Sequence, residues 1–251
     1  MSFDVAAESY RRYMGRFSEP LAPLFADFAD VRPPSTALDV GCGPGALTGP
    51  LVERLGADAV AAIDPSASFV AAARERFPGV DVRRGTAEDL PFDDDTFDAT
   101  LAQLVVHFMT DAVAGLAEMR RVTRPGGTVA VCVWDHGGAG GPLSTFWRAA
   151  QDVYPAVVGE AGLAGSREGH LGELCTAAGL ADVVSGAIAV TVPFATFEAW
   201  WDPFTLGVGP AGAYVARLDD AARSALRTRC AELLPAPFEV EALAWAARGR
   251  A

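Results

Sequence analysis

The segment ALDVGCGPGALT, from Ala37 to Thr48, constrains the fold of this chain more than any other part of the sequence. Ala37, Leu38 and Val40 form an apolar run that predicts a strand buried in a parallel sheet. The glycines that follow allow the backbone to turn sharply and to approach a ligand where a Cβ atom would collide. The segment therefore predicts a buried strand, a tight turn and the start of a helix, as in a nucleotide-binding unit.

The glycine spacing does not by itself decide which ligand this unit binds. Gly41, Gly43 and Ala46 satisfy the pattern G-x-G-x-x-G/A of dinucleotide-binding turns. On the loop alone, a nicotinamide cofactor and S-adenosylmethionine (SAM) both remain open. The surrounding sequence has to distinguish them.

Composition narrows the class of protein. The chain has 251 residues, of which 51% are hydrophobic and 21% charged, as expected for a globular α/β domain with an additional segment. Its formal net charge of −12 disfavours a surface that binds nucleic acid, because phosphate recognition depends on Lys and Arg. We therefore expect no nucleic-acid partner.

Cysteines and hydropathy indicate where such a chain functions. The four cysteines are scattered, without a C-x-x-C pair, so they predict neither a disulfide framework nor a zinc site. Charged residues interrupt the first 30 positions, and no apolar run reaches the ~20 residues that a membrane span needs. We expect a cytoplasmic protein without a membrane partner, as a monomer or a homodimer.

Strand and helix patterns alternate after the glycine segment. Buried or half-buried strands are predicted at 59–63, 80–83, 97–102 and 128–134, with helices at 47–55, 66–77 and 112–123. Such alternation implies right-handed crossovers and a parallel sheet covered on both faces. Beyond Trp134 the glycine-rich stretch 137–141 predicts a flexible connection. Later helices are predicted at 143–158 and at 169–179, and a third is predicted along an apolar stripe that contains Leu226. Late strands are predicted at 182–192 and 238–246.

Four motifs occur along the chain in a fixed order. They are LDVGCGPG at 38–45, IDPS at 63–66, GTAEDLPF at 85–92 and RVTRPGG at 121–127. Together they resemble the class I SAM-dependent methyltransferases, in the small-molecule branch that includes the ubiquinone and menaquinone methyltransferases. The resemblance covers residues 35–135, and the segment 10–25 is similar to an N-terminal helix of some members.

The resemblance implies an α/β fold, a Rossmann-like seven-stranded mixed sheet whose last strand is antiparallel. Helices would cover both faces, with an α-helical, aromatic insert. We expect a single domain over residues 1–251. Its parts would be a core at 35–135, 180–192 and 238–246, an N-terminal lid at 1–32, and a substrate cap at 137–178 and 193–235.

The expected cofactor site follows from the chemistry of SAM and from the resemblance. Asp64 ends the second predicted strand, where a carboxylate can accept both ribose hydroxyls; the alternative is an acid favoured at a helix N-terminus. The resemblance implies that Asp39 supports the amino group, that the Ala87 backbone N–H binds adenine, and that Glu88 binds its exocyclic amine. A solvated acidic turn is the alternative for Glu88.

We expect the segment Tyr10–Arg16 to form a lid, with Arg16 on the SAM carboxylate. The full set of residues expected at the cofactor is Tyr10, Met14, Arg16, Asp39, Gly41, Cys42, Gly43, Asp64, Pro65, Ala87, Glu88, Ala102 and Gln103.

Methyl transfer to a small molecule requires positioning, and a base only where the acceptor must lose a proton. His107, just after the fourth predicted strand, is the candidate catalytic base; a packed histidine is the alternative, and His136 is the second candidate. Of the positions where metal-assisted transfer has acidic ligands, only Asp135 matches, so we expect no metal. The aromatic residues Trp147, Trp200 and Trp201 could line the acceptor site or belong to the core.

Two other classes of protein stay open at this stage. A nicotinamide-dependent oxidoreductase would share the glycine loop but would leave the segment 85–92 and the late pair of strands unexplained. A non-catalytic SAM-binding partner protein would carry the same motifs with a blocked acceptor cavity.

Overall fold

One mixed sheet of seven strands organises the computed structural model, which describes residues 7–251. The strand order is β3-β2-β1-β4-β5-β7-β6. The strands are β1 (Ala37–Val40), β2 (Val60–Asp64), β3 (Asp81–Arg84), β4 (Phe97–Gln103), β5 (Thr123–Trp134), β6 (Ala181–Phe194) and β7 (Phe238–Arg250).

The first five strands run parallel, whereas β7 pairs antiparallel with both β5 and β6. This confirms the predicted mixed sheet with an antiparallel last strand. The strand order reverses between β1 and β4, and open α/β sheets bind ligands at the carboxyl ends of the strands beside such a switch point. The glycine loop follows β1 at that edge.

Ten α-helices accompany the sheet within the described range 7–251, in addition to short 3₁₀ and π turns. They are α1 (Ala7–Tyr10), α2 (Arg16–Phe28), α3 (Thr48–Leu55), α4 (Ala67–Arg76), α5 (Ala112–Val122), α6 (Ser144–Val153), α7 (His170–Ala177), α8 (Phe197–Trp201), α9 (Gly209–Arg217) and α10 (Asp220–Leu233). Among these described helices, none is long and apolar enough to cross a membrane.

Several boundaries differ from the sequence-based prediction for identifiable reasons. The helix predicted at 143–158 ends at Val153, because Tyr154 precedes Pro155 and a residue before proline avoids the helical conformation. The connection predicted to be flexible at 137–141 is held by Asp135, whose carboxylate accepts the N–H groups of Gly138 (2.8 Å) and Gly140 (3.1 Å). Strand β7 continues to Arg250, four residues past the predicted end, through its pairing with β5.

Apolar side chains cover both faces of the sheet. One cluster joins α2, α6 and the helices after β6, with Phe25, Leu101 and Phe146 fully buried at its centre. A second cluster packs α5 and α7 against the opposite face. Trp200 and Trp201 belong to the first cluster with only 3% of each side chain exposed, which identifies them as core residues.

The N-terminal segment crosses the edge of the sheet where the glycine loop lies. After α1, a π-helical turn at Arg11–Gly15 leads into α2. The ring of Tyr10 lies 5.3 Å from that of Phe69 in α4, and the Gln103 side-chain amide donates to the Ser18 carbonyl at 3.0 Å. The segment is therefore fastened to both halves of the sheet. The first six residues of the predicted lid lie outside the described residues.

Candidate active site

The glycine loop after β1 has the conformation that its glycines permit. The φ angles of Gly41 and Gly43 are 71° and 54°, in the left-handed region that favours glycine. A Cβ on Gly41 would lie 2.5 Å from Cγ2 of Val105, whereas a Cβ on Gly43 would meet no atom within 4 Å. Packing thus requires Gly41, while Gly43 borders open space that a ligand can enter.

Asp64 ties the end of β2 to this loop. One carboxylate oxygen accepts the backbone N–H of Gly43 at 2.9 Å, and the other accepts that of Ser66 at 2.8 Å. Burial raises the pKa of Asp64, and the two backbone N–H groups oppose that rise. Each oxygen retains a lone pair for a further donor, so the carboxylate can still receive a pair of hydroxyl groups.

Asp39 lies within β1, fully enclosed beneath the loop. Its Oδ2 atom accepts the Thr48 hydroxyl at 2.6 Å. Burial raises the pKa of Asp39 to about 7; the Thr48 hydroxyl opposes the shift and the nearby Asp64 adds to it. Cys42 is also buried, and desolvation raises the pKa of its thiol well above the usual range, which makes it a packed residue and not a reactive thiol.

A narrow cavity lies under the loop. Two buried polar atoms near it, Oγ of Ser18 and Oε1 of Gln103, make no hydrogen bond within the described part of the chain. Such orphaned atoms are costly unless a ligand or water satisfies them. The cavity is lined by Tyr10, Ser18, Asp39, Gly41, Cys42, Gly43, Pro44, Ala46, Leu47, Gln103 and Leu104.

The segment that contains Ala87 and Glu88 lies beside the neighbouring strand ends. Ala87 is buried, and its backbone N–H donates no hydrogen bond within residues 7–251. Glu88 is anchored, because its Oε1 accepts the N–H groups of Thr110 (2.7 Å) and Asp111 (3.4 Å) at the start of α5. Its second oxygen remains for another donor.

Other residues expected at the cofactor lie further from the loop. Arg16 donates to the Ala199 carbonyl at 2.7 Å and stacks 5.0 Å above the centre of the Phe194 ring, so its guanidinium faces the cap and not the glycine loop. Met14 lines a second cavity. Ala102 is fully buried in β4, and Pro65 is exposed with its carbonyl accepting from Arg84.

The second cavity contains His107. It lies in a short turn, Val106–Phe108, which begins two residues after Leu104, and Leu104 has a φ of 63°. His107 is 8% exposed, its Nδ1 atom has no partner among the described residues, and its ring centre lies 5.4 Å from that of His136. Burial, and secondly His136, hold the pKa of His107 well below its usual range. The imidazole is therefore neutral at pH 7.

Three neighbouring cavities are linked by shared lining residues. Tyr10 and Leu104 line both the loop cavity and the cavity of His107. His136 and Glu160 line both the cavity of His107 and an outer cavity of about 340 Å³. A cofactor under the loop and an acceptor entering from outside would therefore meet near Tyr10.

The structure brings together most of the sequence-predicted site and adds residues that the sequence did not reveal. Ser18 had a weak signal, since it is a polar residue on the apolar stripe of Met14, Leu21 and Phe25. The sequence gives no such signal for Glu160, because this residue lies in an irregular loop that only the tertiary fold brings to the cavity. No cluster of side chains that could hold a metal occurs within residues 7–251.

Comparison with known proteins gives this arrangement a family. Residues 38–131 match the family described as "Methyltransferase domain". An uncharacterized methyltransferase of Mycobacterium tuberculosis is 38% identical over 135 residues, which cover 54% of this chain and 52% of that protein. A demethylmenaquinone methyltransferase of Paenarthrobacter aurescens is 31% identical over 125 residues, 50% of this chain and 47% of that protein. The YcgJ protein of Bacillus subtilis has a TM-score of 0.58 at 19% identity, covering 93% of this chain and 97% of that one.

The fold and the glycine-loop site define a Rossmann-like domain of the class I, SAM-dependent methyltransferase type. Residues 38–131 of this chain match a methyltransferase domain, as the four motifs predicted. The chain spans about half the length of these curated relatives, 52% and 47%. The family match therefore concerns strands β1 to β5.

Proposed function

We propose that this chain transfers a methyl group from SAM to a small-molecule acceptor by in-line displacement. The observation that supports this most is the meeting of the loop cavity and the His107 cavity at Tyr10 and Leu104. A bisubstrate transfer needs such an arrangement, because the reacting atoms must approach within about 3–3.5 Å. The match of residues 38–131 to a methyltransferase domain supports the choice of cofactor.

The residues present under the loop fit SAM. Asp64 would accept the ribose hydroxyls, and the buried carboxyl of Asp39 would support the α-amino group. Ala87 would donate its N–H to adenine, with Glu88 beside the exocyclic amine. The open space at Gly43 and the orphaned oxygens of Ser18 and Gln103 mark room and hydrogen-bonding capacity for the rest of the molecule.

Bound SAM would supply an electrophilic methyl group on a sulfonium. The chain's own part is to hold the acceptor in line, exclude water and take a proton where the acceptor carries one. His107 is the candidate base, because its neutral ring borders the cavity and its Nδ1 atom has no partner within the described residues.

A pair of glycine substitutions tests the cofactor site. Gly43→Val places a side chain in the open space, so SAM affinity should fall by at least about tenfold, or about 1.4 kcal/mol. Gly126→Val is the matched control, since Gly126 also has a positive φ (79°) and a Cβ added there would meet no atom within 4 Å, but it lies in the hairpin-like start of β5. Calorimetric titration with SAM measures both, and Gly43→Ala replaces the valine variant if that does not fold.

The outcomes separate the three classes of protein. Equal SAM affinity in the Gly43 and Gly126 variants would show that SAM does not bind at the glycine loop. Binding of NADH in place of SAM would favour the oxidoreductase. SAM binding without S-adenosylhomocysteine release, across a broad panel of metabolites, would favour a non-catalytic SAM-binding protein.

A further inference from the structure

Glu160 is a buried acid without a counter-ion. Its side chain belongs to a residue that is 6% exposed, and its Oε2 atom accepts the indole N–H of Trp147 at 2.8 Å. No arginine or histidine lies within ion-pair distance of it in the described part of the chain, where the salt bridges join other residues. Burying a charge is costly unless it is paired, so this position needs an explanation. Burial raises the pKa of Glu160 to about 7, although the hydrogen bond from Trp147 acts to lower it.

The position of Glu160 points to a ligand. Glu160 lines both the cavity of His107 and the outer cavity, so it lies at the boundary between them. The inner cavity measures only about 30 Å³, and the outer one about 340 Å³. A single small head group fits inside, with the body of the molecule outside. The head group would pass Glu160.

The groups around the inner cavity include acceptors and aromatic faces but no cation. His107 Nδ1 and His136 Nε2 are buried without partners in the described residues, and burial lowers the pKa of His136 to about 4 despite Asp135. The Tyr13 hydroxyl is also unpartnered there, and it lies close enough for the charge of Glu160 to raise its pKa beyond the effect of burial. The rings of Tyr10, Tyr13, Phe108 and Trp134 line the same space.

We infer that Glu160 is a specificity-determining residue that binds a protonated amine, and that the acceptor of this methyltransferase is an amine nitrogen; this inference rests on the proposed function. An ammonium group has three N–H donors, which the Glu160 carboxylate, an imidazole nitrogen and the Tyr13 hydroxyl can accept. Aromatic faces stabilise a cation further. The chain's net charge of −12 would also attract a cationic substrate.

A hydroxyl acceptor fits these groups less well. A hydroxyl donates one hydrogen bond and leaves the charge of the buried carboxylate uncompensated. It would also leave at least one of the imidazole nitrogens without a donor. An ammonium compensates the charge and also donates to one imidazole nitrogen and to the Tyr13 hydroxyl, whereas a hydroxyl has a single donor for all of these groups.

The reaction balances with groups already present. One N–H proton of the ammonium passes to the Glu160 carboxylate, whose pKa burial raises to about 7, and this leaves a neutral amine beside a neutral carboxyl with His107 Nδ1 accepting a hydrogen bond from the amine. The freed nitrogen lone pair forms a bond to the methyl carbon of SAM while the carbon–sulfur bond breaks, and the sulfonium becomes a neutral thioether. The products are a methylated ammonium and S-adenosylhomocysteine, and Glu160 releases its proton to water.

Binding of matched amines and alcohols tests the inference. We expect wild-type protein saturated with S-adenosylhomocysteine at pH 8 to bind 2-phenylethylamine and hexylamine about tenfold or more tightly than 2-phenylethanol and hexanol, by calorimetry. Glu160→Gln keeps an oxygen for the Trp147 indole but removes the charge, so the preference should disappear. Glu53→Gln, which alters an exposed acid of α3, is the matched control and should keep the preference.

Each outcome decides for or against the amine. A preference that survives in Glu160→Gln, alcohols that bind as tightly as amines, or no measurable amine binding by the wild type would each overturn the assignment. S-adenosylhomocysteine affinity is measured in the same samples. Its persistence alongside lost amine preference leaves the methyltransferase proposal standing, whereas its absence from the wild type would reject that proposal itself.

Discussion

At the scale of single residues, Asp39 lies where a negative charge is expensive. The strand that carries it is buried throughout, and its hydrogen bond to the Thr48 hydroxyl compensates only part of the lost hydration. Its proton is consequently retained to about pH 7 in the folded chain, while the unfolded chain releases it near pH 3.8. The folded state therefore binds more protons than the unfolded state between these two values.

We predict that this difference makes stability fall with rising pH. Below pH 3.8 Asp39 carries its proton in both states; between there and about pH 7 the unfolding free energy decreases, by up to roughly 4 kcal/mol for this group. Asp39→Asn should be flatter than wild type over that range. Urea unfolding at several pH values measures the difference in unfolding free energy between the two proteins. Glu160 is present in both, so its contribution cancels in this difference. Parallel curves would contradict the prediction.

His107 provides a second prediction at this scale. If its imidazole takes the acceptor's proton, His107→Ala should lower turnover by a factor on the order of 10² to 10⁴, while SAM affinity stays unchanged. His170→Ala is the control, because His170 lies outside the connected cavities, with its Nδ1 accepting from Gly165. Turnover of His107→Ala is measured with an acceptor that the wild-type protein methylates. A value close to that of the wild type would show that the histidine has a structural role only.

At the scale of elements, the N-terminal segment covers the cavity under the glycine loop. Tyr10 closes one side of the narrow loop cavity, and Ser18 in α2 closes another. A cofactor pocket is commonly several hundred cubic ångströms, far larger than this space of about 20 Å³. If SAM binds under the loop as we propose, the segment has to shift to admit it, as a lid does.

We predict that SAM changes hydrogen exchange in this lid. Backbone amides at residues 8–18 should exchange more slowly once the cofactor is held beneath them, whereas amides of α10 should exchange at the same rate with and without SAM. Hydrogen–deuterium exchange with mass spectrometry compares the two segments in one sample. Identical exchange at residues 8–18 with and without SAM would contradict the prediction that this segment acts as a lid.

At the scale of the whole molecule, the sequence predicts those features that depend on residues close together in the chain. Gly41, Gly43 and Asp64 follow from short motifs, and the alternating strands define the sheet. Glu160 and the orientation of Arg16 do not follow, because each depends on elements far away in the chain, such as Ala199 against Arg16. The early end of α6 was within reach of the sequence, since Pro155 gives the reason.

Tyr10 and Leu104 form a shared wall between the cofactor and acceptor cavities, and this has a thermodynamic consequence. A ligand that moves this wall in one cavity alters the affinity of the other cavity by some factor. Linkage requires the second ligand to change the affinity of the first by the same factor. If the two cavities hold SAM and an acceptor as we propose, a shift of this wall makes the binding of either one report the occupancy of the other.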